Sequence, residues 1–204
     1  MCVESRKVLK KIFKVIPGPY WGLFSMIASS LGVIVAVSMT PNYSMNHMMS
    51  YLGTSPGALF FNLGMILAGL FTLVFCLYLA PILKSKNVKD EIHRTALVFA
   101  ILFCIFYTLV GAVPAVANSY LEIVHGLIAM ICLICGSIYK SLFGYMMLKS
   151  EKFLKLHIFS AMIVAFIEIV FLLTWIPLIE WMMVFAINYW IFIISFYFFN
   201  KKEL

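Results

Sequence analysis

Charge is scarce in this sequence, and acidic charge is scarcer still. Of the 204 residues only 11% are Asp, Glu, Lys or Arg, and only eight are acidic. A soluble domain averages about 25% charged and about 45–50% apolar residues. Here 64% are hydrophobic and the mean hydropathy is +1.06. The shortage of charge excludes an ordinary water-soluble fold, and the apolar excess excludes disorder. Linkers, low-complexity tracts and soluble repeats are missing too. The five cysteines show no secreted-disulfide pattern, and four of them (Cys76, Cys104, Cys132, Cys135) fall inside apolar runs, where Cys behaves as a small hydrophobe. Cys132 and Cys135 make a C-x-x-C, but its depth in an apolar run denies the access that redox or zinc chemistry needs, so core packing is expected.

What remains is six apolar runs, at about 20–39, 57–83, 95–116, 120–148, 156–175 and 181–199. Each is long enough to cross about 30 Å of hydrocarbon at about 1.5 Å per residue. Lipid offers the backbone no hydrogen-bond partners, so each run is expected to be a helix. The fold class that follows is all-α: a polytopic membrane protein built as a six-transmembrane-helix bundle of three helical hairpins, in one membrane domain over 20–199. The first run follows a basic start and carries Ala36-Val37-Ser38 near its end, as a signal peptide would, but it exceeds the usual signal core of about 7–15 residues.

Basic residues set the orientation. All 15 Lys and Arg fall before the first run, between the second and third, at or beside the turn between the fourth and fifth, or after the sixth. Lys140 is counted in this set, one or two turns inside the fourth run. The alternate loops carry none. By the positive-inside rule both termini are cytoplasmic and the protein is a multi-pass protein of the cell membrane. The net charge of +7 therefore reads as attraction to anionic lipid headgroups, with membrane lipids as partners and no nucleic acid. Leu9, Ile12, Phe13 and Ile16 share one face of the basic segment within 1–19, as in an interfacial amphipathic helix that ends at Pro17-Gly18-Pro19; a disordered basic tail is the alternative. Residues 200–204 form the cytoplasmic tail. Gly22, Ser25, Ser29, Gly32 and Ala36 in the first run, and Ala161 and Ala165 in the fifth, mark close helix contacts.

A few polar groups lie inside the apolar runs, where they are costly and point to function. Asn62, His125, Glu168 and Asn188 fall at similar depths toward the uncharged side. The tight turn at 176–180 makes the last two runs antiparallel neighbours, so Glu168 and Asn188 are expected to face each other. Glu122 and His47 sit at the rim, with Glu180 just above. These six residues, Asn62, His125, Glu168, Asn188, Glu122 and His47, form the candidate ligand-binding cluster. On this basis Glu168→Gln is expected to alter binding and leave folding largely intact. The plainer reading is that the amides fix helix register.

The stretch Met49-Ser50-Tyr51-Leu52-Gly53, with Phe61-Asn62-Leu63-Gly64 and Gly69 after it, resembles the membrane family known as domain of unknown function 998. Gly111-Ala112-Val113-Pro114 and His125-Gly126 look like that family's end of the third span and start of the fourth. The resemblance implies six spans over nearly the whole chain. It adds weight to Asn46, His47, Ser50, Gly53, Asn62, Pro114 and His125 as a shared outer-face feature, and it brings no activity.

Three functions are left standing. The first is a non-enzymatic protein that binds a lipid or small polar ligand in the outer cluster. Transport is a variant of it, although inverted repeats and broken helices are lacking and a bundle this small would call for a homo-oligomer. The second is a membrane-embedded metal-dependent hydrolase using His47, Glu122, His125 and Glu168 as donors, without any H-E-x-x-H signature. The third is a haem b electron carrier, since His47 and His125 on one side and His93 and His157 on the other look like the histidine pairs of the ascorbate-reducible cytochrome b family. No catalytic residue, metal or cofactor is fixed by the sequence.

Overall fold

The structure is a computed structural model that describes residues 11–150 and 152–200. Six long helices follow one another: α1 Gly18–Ser38, α2 Ala58–Leu83, α3 Asp90–Ala112, α4 Tyr120–Leu148, α5 Lys155–Thr174 and α6 Pro177–Asn200. All six are long and apolar enough to cross a membrane, and there is no strand among the described residues. The protein is thus an all-helical, multi-pass membrane bundle. Residues 11–15 are also helical and break before α1; the rest of the basic start, and the tail beyond residue 200, lie outside the described residues.

Each helix packs on the next in sequence, and α6 closes back onto α1, which makes a ring of six. The centre of the ring is filled by Phe75, Phe103, Tyr139, Phe143 and Trp190, all nearly or fully buried. Apolar residues such as Leu31, Ile34, Leu59, Phe166 and Leu173 face outward instead. A helix in lipid has no need of a polar face, so apolar residues cover both its inner and outer sides. Inward faces are told apart by small residues. Gly22, Ser25, Ser29, Gly32 and Ala36 are all buried on α1, as are Ala161 and Ala165 on α5. Where α1 meets α2, a Cβ on Gly32 would lie 2.8 Å from the Phe60 carbonyl oxygen, and one on Gly64 would lie 2.7 Å from the Ala28 carbonyl oxygen. Only glycine at both positions lets the two backbones come this close.

The helix ends depart from the apolar runs. α3 starts at Asp90, not near 95, and α6 starts at Pro177, not at 181. The runs mark the hydrocarbon crossing, but backbone hydrogen bonding continues into the charged first turns. There Asp90 and Glu91 suit a helix N-terminus, and Pro177 needs no intrahelical donor. Trp175 closes α5 in a left-handed conformation with φ 51°.

The turns alternate in character. Lys84, Lys86, Lys89 and Arg94, then Lys149, Lys152 and Lys155, cluster at one end of the ring, where α1 begins and α6 ends. The opposite end carries the longest connection, from α1 to α2, which includes a short 3₁₀ strap, Met49–Thr54. One basic residue breaks the pattern expected of it. Lys140 is fully buried inside the ring, not at the basic turn.

Candidate functional site

The strap is fastened to α6. Glu180, in the first turn of α6, accepts the backbone N–H of Met49 at 2.5 Å and that of Ser50 at 3.3 Å. Next to it the Trp181 indole N–H donates to the His47 carbonyl at 3.2 Å, and the Tyr43 hydroxyl donates to the Met48 carbonyl. At the far end of the strap, the Asn62 amide donates to the Gly53 carbonyl at 3.1 Å. A Cβ on Gly53 would come within 2.9 Å of the Asn62 Oδ1, so this approach needs glycine. Burial beneath the turn pushes the Tyr43 phenol above its ordinary range, and the nearby Glu180 carboxylate adds to the shift.

Beneath the strap lies a cavity of about 80 Å³, walled by α2 to α6. Met48, Met49 and Ser50 form its lid, and Phe61, Met65, Phe103 and Phe171 are among its apolar walls. Its ionisable groups include His125, Glu168 and Glu180, and Ser50 and Tyr107 add hydroxyl-bearing side chains. His125 Nδ1 lies 2.6 Å from the Val113 carbonyl oxygen. A carbonyl only accepts, so Nδ1 carries the proton and the neutral ring keeps Nε2 as an acceptor. This bond also ties the end of α3 to α4.

Glu168 meets Lys140 at the floor. The Lys140 Nζ is 2.6 Å from Glu168 Oε1, and both side chains are wholly buried. The ammonium also lies 4.1 Å from the centre of the Phe103 ring and 4.5 Å from that of Tyr139. Helical side chains lean toward the N-terminus of their own helix. On α4 that direction leads away from the basic end, so Lys140 reaches inward instead of snorkelling out. On the antiparallel α5 it leads toward the basic end, so Glu168 comes to meet it. Gly136 makes room, since a Cβ there would stand 2.7 Å from Glu168 Oε1. Among the described residues the second carboxylate oxygen, Oε2, is buried and has no partner; Tyr139 Oη and Trp190 Nε1 are in the same condition.

The six residues expected to form one cluster are therefore divided. His125 and Glu168 share the cavity. Glu168 does not pair with Asn188; its partner is Lys140, and the Asn188 amide donates to Ser29 Oγ on α1 at 3.3 Å. The turn at 176–180 brings α5 and α6 together as expected, but their registers send the two side chains to different neighbours. Asn62 holds the strap, with its Oδ1 buried and unpartnered. Glu122 accepts the Asn118 N–H at 2.8 Å and so closes the turn before α4. His47 is exposed, its ring 3.3 Å from Ser44 Oγ, and it joins the site only through its carbonyl. Sequence reasoning missed the roles of Lys140 and Glu180. Eight residues of helix between Lys140 and Leu148, about 12 Å of rise, were the available sign that this lysine is deep.

The donors do not fit a metal. Among the described residues no three His, Cys, Asp or Glu side chains gather as a metal would require. A haem fits no better, because the histidines are scattered and held by backbone groups. His93 Nε2 donates to the Ala80 carbonyl at 2.9 Å, and His157 Nδ1 accepts the Leu154 N–H at 3.2 Å to cap α5. His125 and His157 line separate cavities.

The sequence model of one protein family matches residues 23–197, which takes in α2 to α5 whole and most of α1 and α6. The chain belongs to that family, described as Protein of unknown function (DUF998). The S-x-L-G of this DUF998 protein is its strap, the F-N-x-G supplies Asn62 against Gly53, and the Gly-x-x-Pro turn holds the carbonyl bonded by His125. These motif residues thus build the lid and one wall of the cavity. No curated protein and no solved structure matches the chain.

Proposed function

We propose that this DUF998 protein binds an amphiphile of the cell membrane in the cavity beneath the strap. The observation that carries the reading is the Oε2 of Glu168, buried and without a partner among the described residues, on a side chain that lines a mostly apolar cavity. A buried acceptor left open costs about 1–3 kcal/mol or more, and a ligand donating a hydrogen bond removes that cost. The strap supports the same reading. It is anchored at both ends by side chains, Glu180 and Asn62, whose contacts can open without unfolding a helix. Transport is the weaker reading, since Glu168 at the cavity floor is held by Lys140 behind it and the basic-end half of the ring is packed with Phe143 and Phe75.

The test is native mass spectrometry of the full chain released from membranes, comparing wild type with the double variant Lys140→Met/Glu168→Leu. Replacing both partners leaves no unpaired charge, so the fold is retained. The expected result is a bound small molecule on the wild type that the double variant lacks. The same adduct profile on both proteins would overturn the proposal.

A further inference from the structure

The cavity is too small for a whole lipid. At about 80 Å³ it is near half the volume of the roughly 150 Å³ engineered cavity that accepts benzene. It has room for a head group of a few heavy atoms. Beside it runs a second, larger cavity of about 540 Å³ along the seam between α1 and α6. Met49 and Val184 line both, so these two side chains are the partition between them. The larger cavity is mostly apolar, although Asn188, Ser30 and Tyr43 also line it, and Ile34 and Phe185 on its walls are exposed on the outer face of the helices. It is therefore a groove open sideways to acyl chains. Met49, unbranched and flexible, is a partition that can swing aside.

The polar groups select the head. Glu168 Oε2 and His125 Nε2 are acceptors, and Glu180 adds a second carboxylate near the lid. An anionic head would meet two carboxylates with no free cation lining the cavity among the described residues, because Lys140 is engaged by Glu168 at 2.6 Å. An ammonium head would meet at Glu168 a carboxylate already neutralised, with a second ammonium beside it, and at Glu180 a carboxylate already engaged by two strap N–H groups. A neutral hydroxyl donates its one proton to the open Glu168 oxygen with no charge to bury.

We infer that the two cavities form one bipartite site for a single-chain alcohol: the hydroxyl donates to Glu168 and the chain passes Met49 and Val184 into the α1–α6 groove. This rests on the cavity being a binding site and adds the ligand class and the path of its tail. The probes are diazirine-tagged butanol and dodecanol, each with the diazirine at the chain terminus, on the full-length protein in phosphatidylcholine nanodiscs. Labelled residues are mapped by peptide mass spectrometry. Butanol is expected to label the walls of the cavity under the strap, and dodecanol to label the groove. Untagged dodecanol should compete about tenfold or more better than dodecane, as expected for a hydrogen bond to a charged acceptor, and better than dodecanoate. Val37→Trp, which fills the groove at a residue that does not line the cavity under the strap, should abolish groove labelling by dodecanol and spare cavity labelling by butanol. If that variant misfolds, the competition series on the wild type decides alone. Butanol in the cavity with dodecanol absent from the groove, or dodecane and dodecanoate competing as well as dodecanol, would overturn the bipartite alcohol site and leave the simpler binding site standing. Failure of both alcohols to label the cavity would overturn both.

Discussion

Glu168→Gln is a far more damaging change than its place in the sequence suggests. Read alone, a carboxyl inside an apolar run can be exchanged for an amide of the same shape. The structure puts the Lys140 ammonium 2.6 Å from one oxygen, with both side chains at 0% exposure. Removing one partner of a buried pair leaves the other uncompensated, at a cost of about 3–5 kcal/mol. The two single variants should not be equal. In Glu168→Gln the ammonium still has an amide oxygen and the faces of Phe103 and Tyr139 at 4.1 and 4.5 Å, contacts worth up to about 2 kcal/mol when desolvated. In Lys140→Met the carboxylate is left with two open oxygens among apolar neighbours, since Oε2 has no partner to begin with. Lys140→Met should be the worse of the two.

The double variant Lys140→Met/Glu168→Leu should return to within about 1–2 kcal/mol of wild type, because a well-packed apolar replacement of a buried pair is often neutral or better. With Glu168→Leu as the matching single variant, the coupling energy from the cycle should then approach the sum of the two single losses. Reversible unfolding of the purified protein in mixed micelles of lipid and denaturing detergent measures it. Interhelical hydrogen bonds in membranes couple by only about 0.6 kcal/mol on average. A coupling of that size, with additive single effects, would refute the claim that these residues form a buried ion pair.

Other consequences are more local. Gly136→Ala places a methyl 2.7 Å from Glu168 Oε1 and 3.0 Å from the Phe103 ring; it should cost about 1–3 kcal/mol by overpacking, and less in the double variant, as unfolding in the same micelles will show. Glu180→Ala strips two N–H groups of the strap of their acceptor; hydrogen exchange at Met49 and Ser50 should rise about tenfold or more, for a loss of about 1.4 kcal/mol or more, while exchange in mid-helix α4 stays as it was. Tyr43 ionises in the unfolded chain near pH 10 but is held above that in the fold by burial and then by Glu180. Its contribution is whole below the unfolded value and is lost as pH rises toward the folded one. Phenolate absorbance from Tyr43, isolated by difference against Tyr43→Phe, should therefore appear only above the ordinary range; normal titration would refute its burial under the strap. Gly32→Leu should separate α1 from α2 and destabilise the bundle, since even a Cβ there stands 2.8 Å from the Phe60 carbonyl oxygen; wild-type stability would argue against the close contact.

Much of the fold was legible because lipid restricts it so strongly. A chain with six apolar runs and no water to satisfy its backbone can do little but form six helices, and the small residues on α1 and α5 then show which faces turn inward. The side-chain partnerships were harder to read. Charge counting treats a lysine as a mark of topology, and Lys140 was assigned to the basic end for that reason, although helical side-chain direction sends it the other way. Glu168 and Asn188 lie at matching depths on adjacent antiparallel helices, yet depth gives only height along the axis. Rotation about each axis decides the neighbour, and it turns Asn188 toward Ser29 on α1 and Glu168 toward α4. Glu180 looked like one more polar residue above the membrane, because nothing in a single sequence shows that a carboxylate will bond to N–H groups about 130 positions away.

The same geometry explains why a charged pair can sit at the centre of a bundle whose other demands are apolar. A lone carboxylate at the floor of the cavity would need water or a cation to hold it there. With Lys140 the pair is neutral overall, and one oxygen remains free for a neutral donor. Pair and site are then one device: the lysine makes the carboxylate tolerable in the bundle, and the carboxylate gives the cavity its polar point. If so, ligand binding and the ion pair should fail together in Lys140→Met although Lys140 does not line the cavity. A Lys140→Arg variant, which keeps the charge, should restore both in part. Binding that survives Lys140→Met at wild-type affinity would separate the pair from the site and leave Lys140 with packing alone.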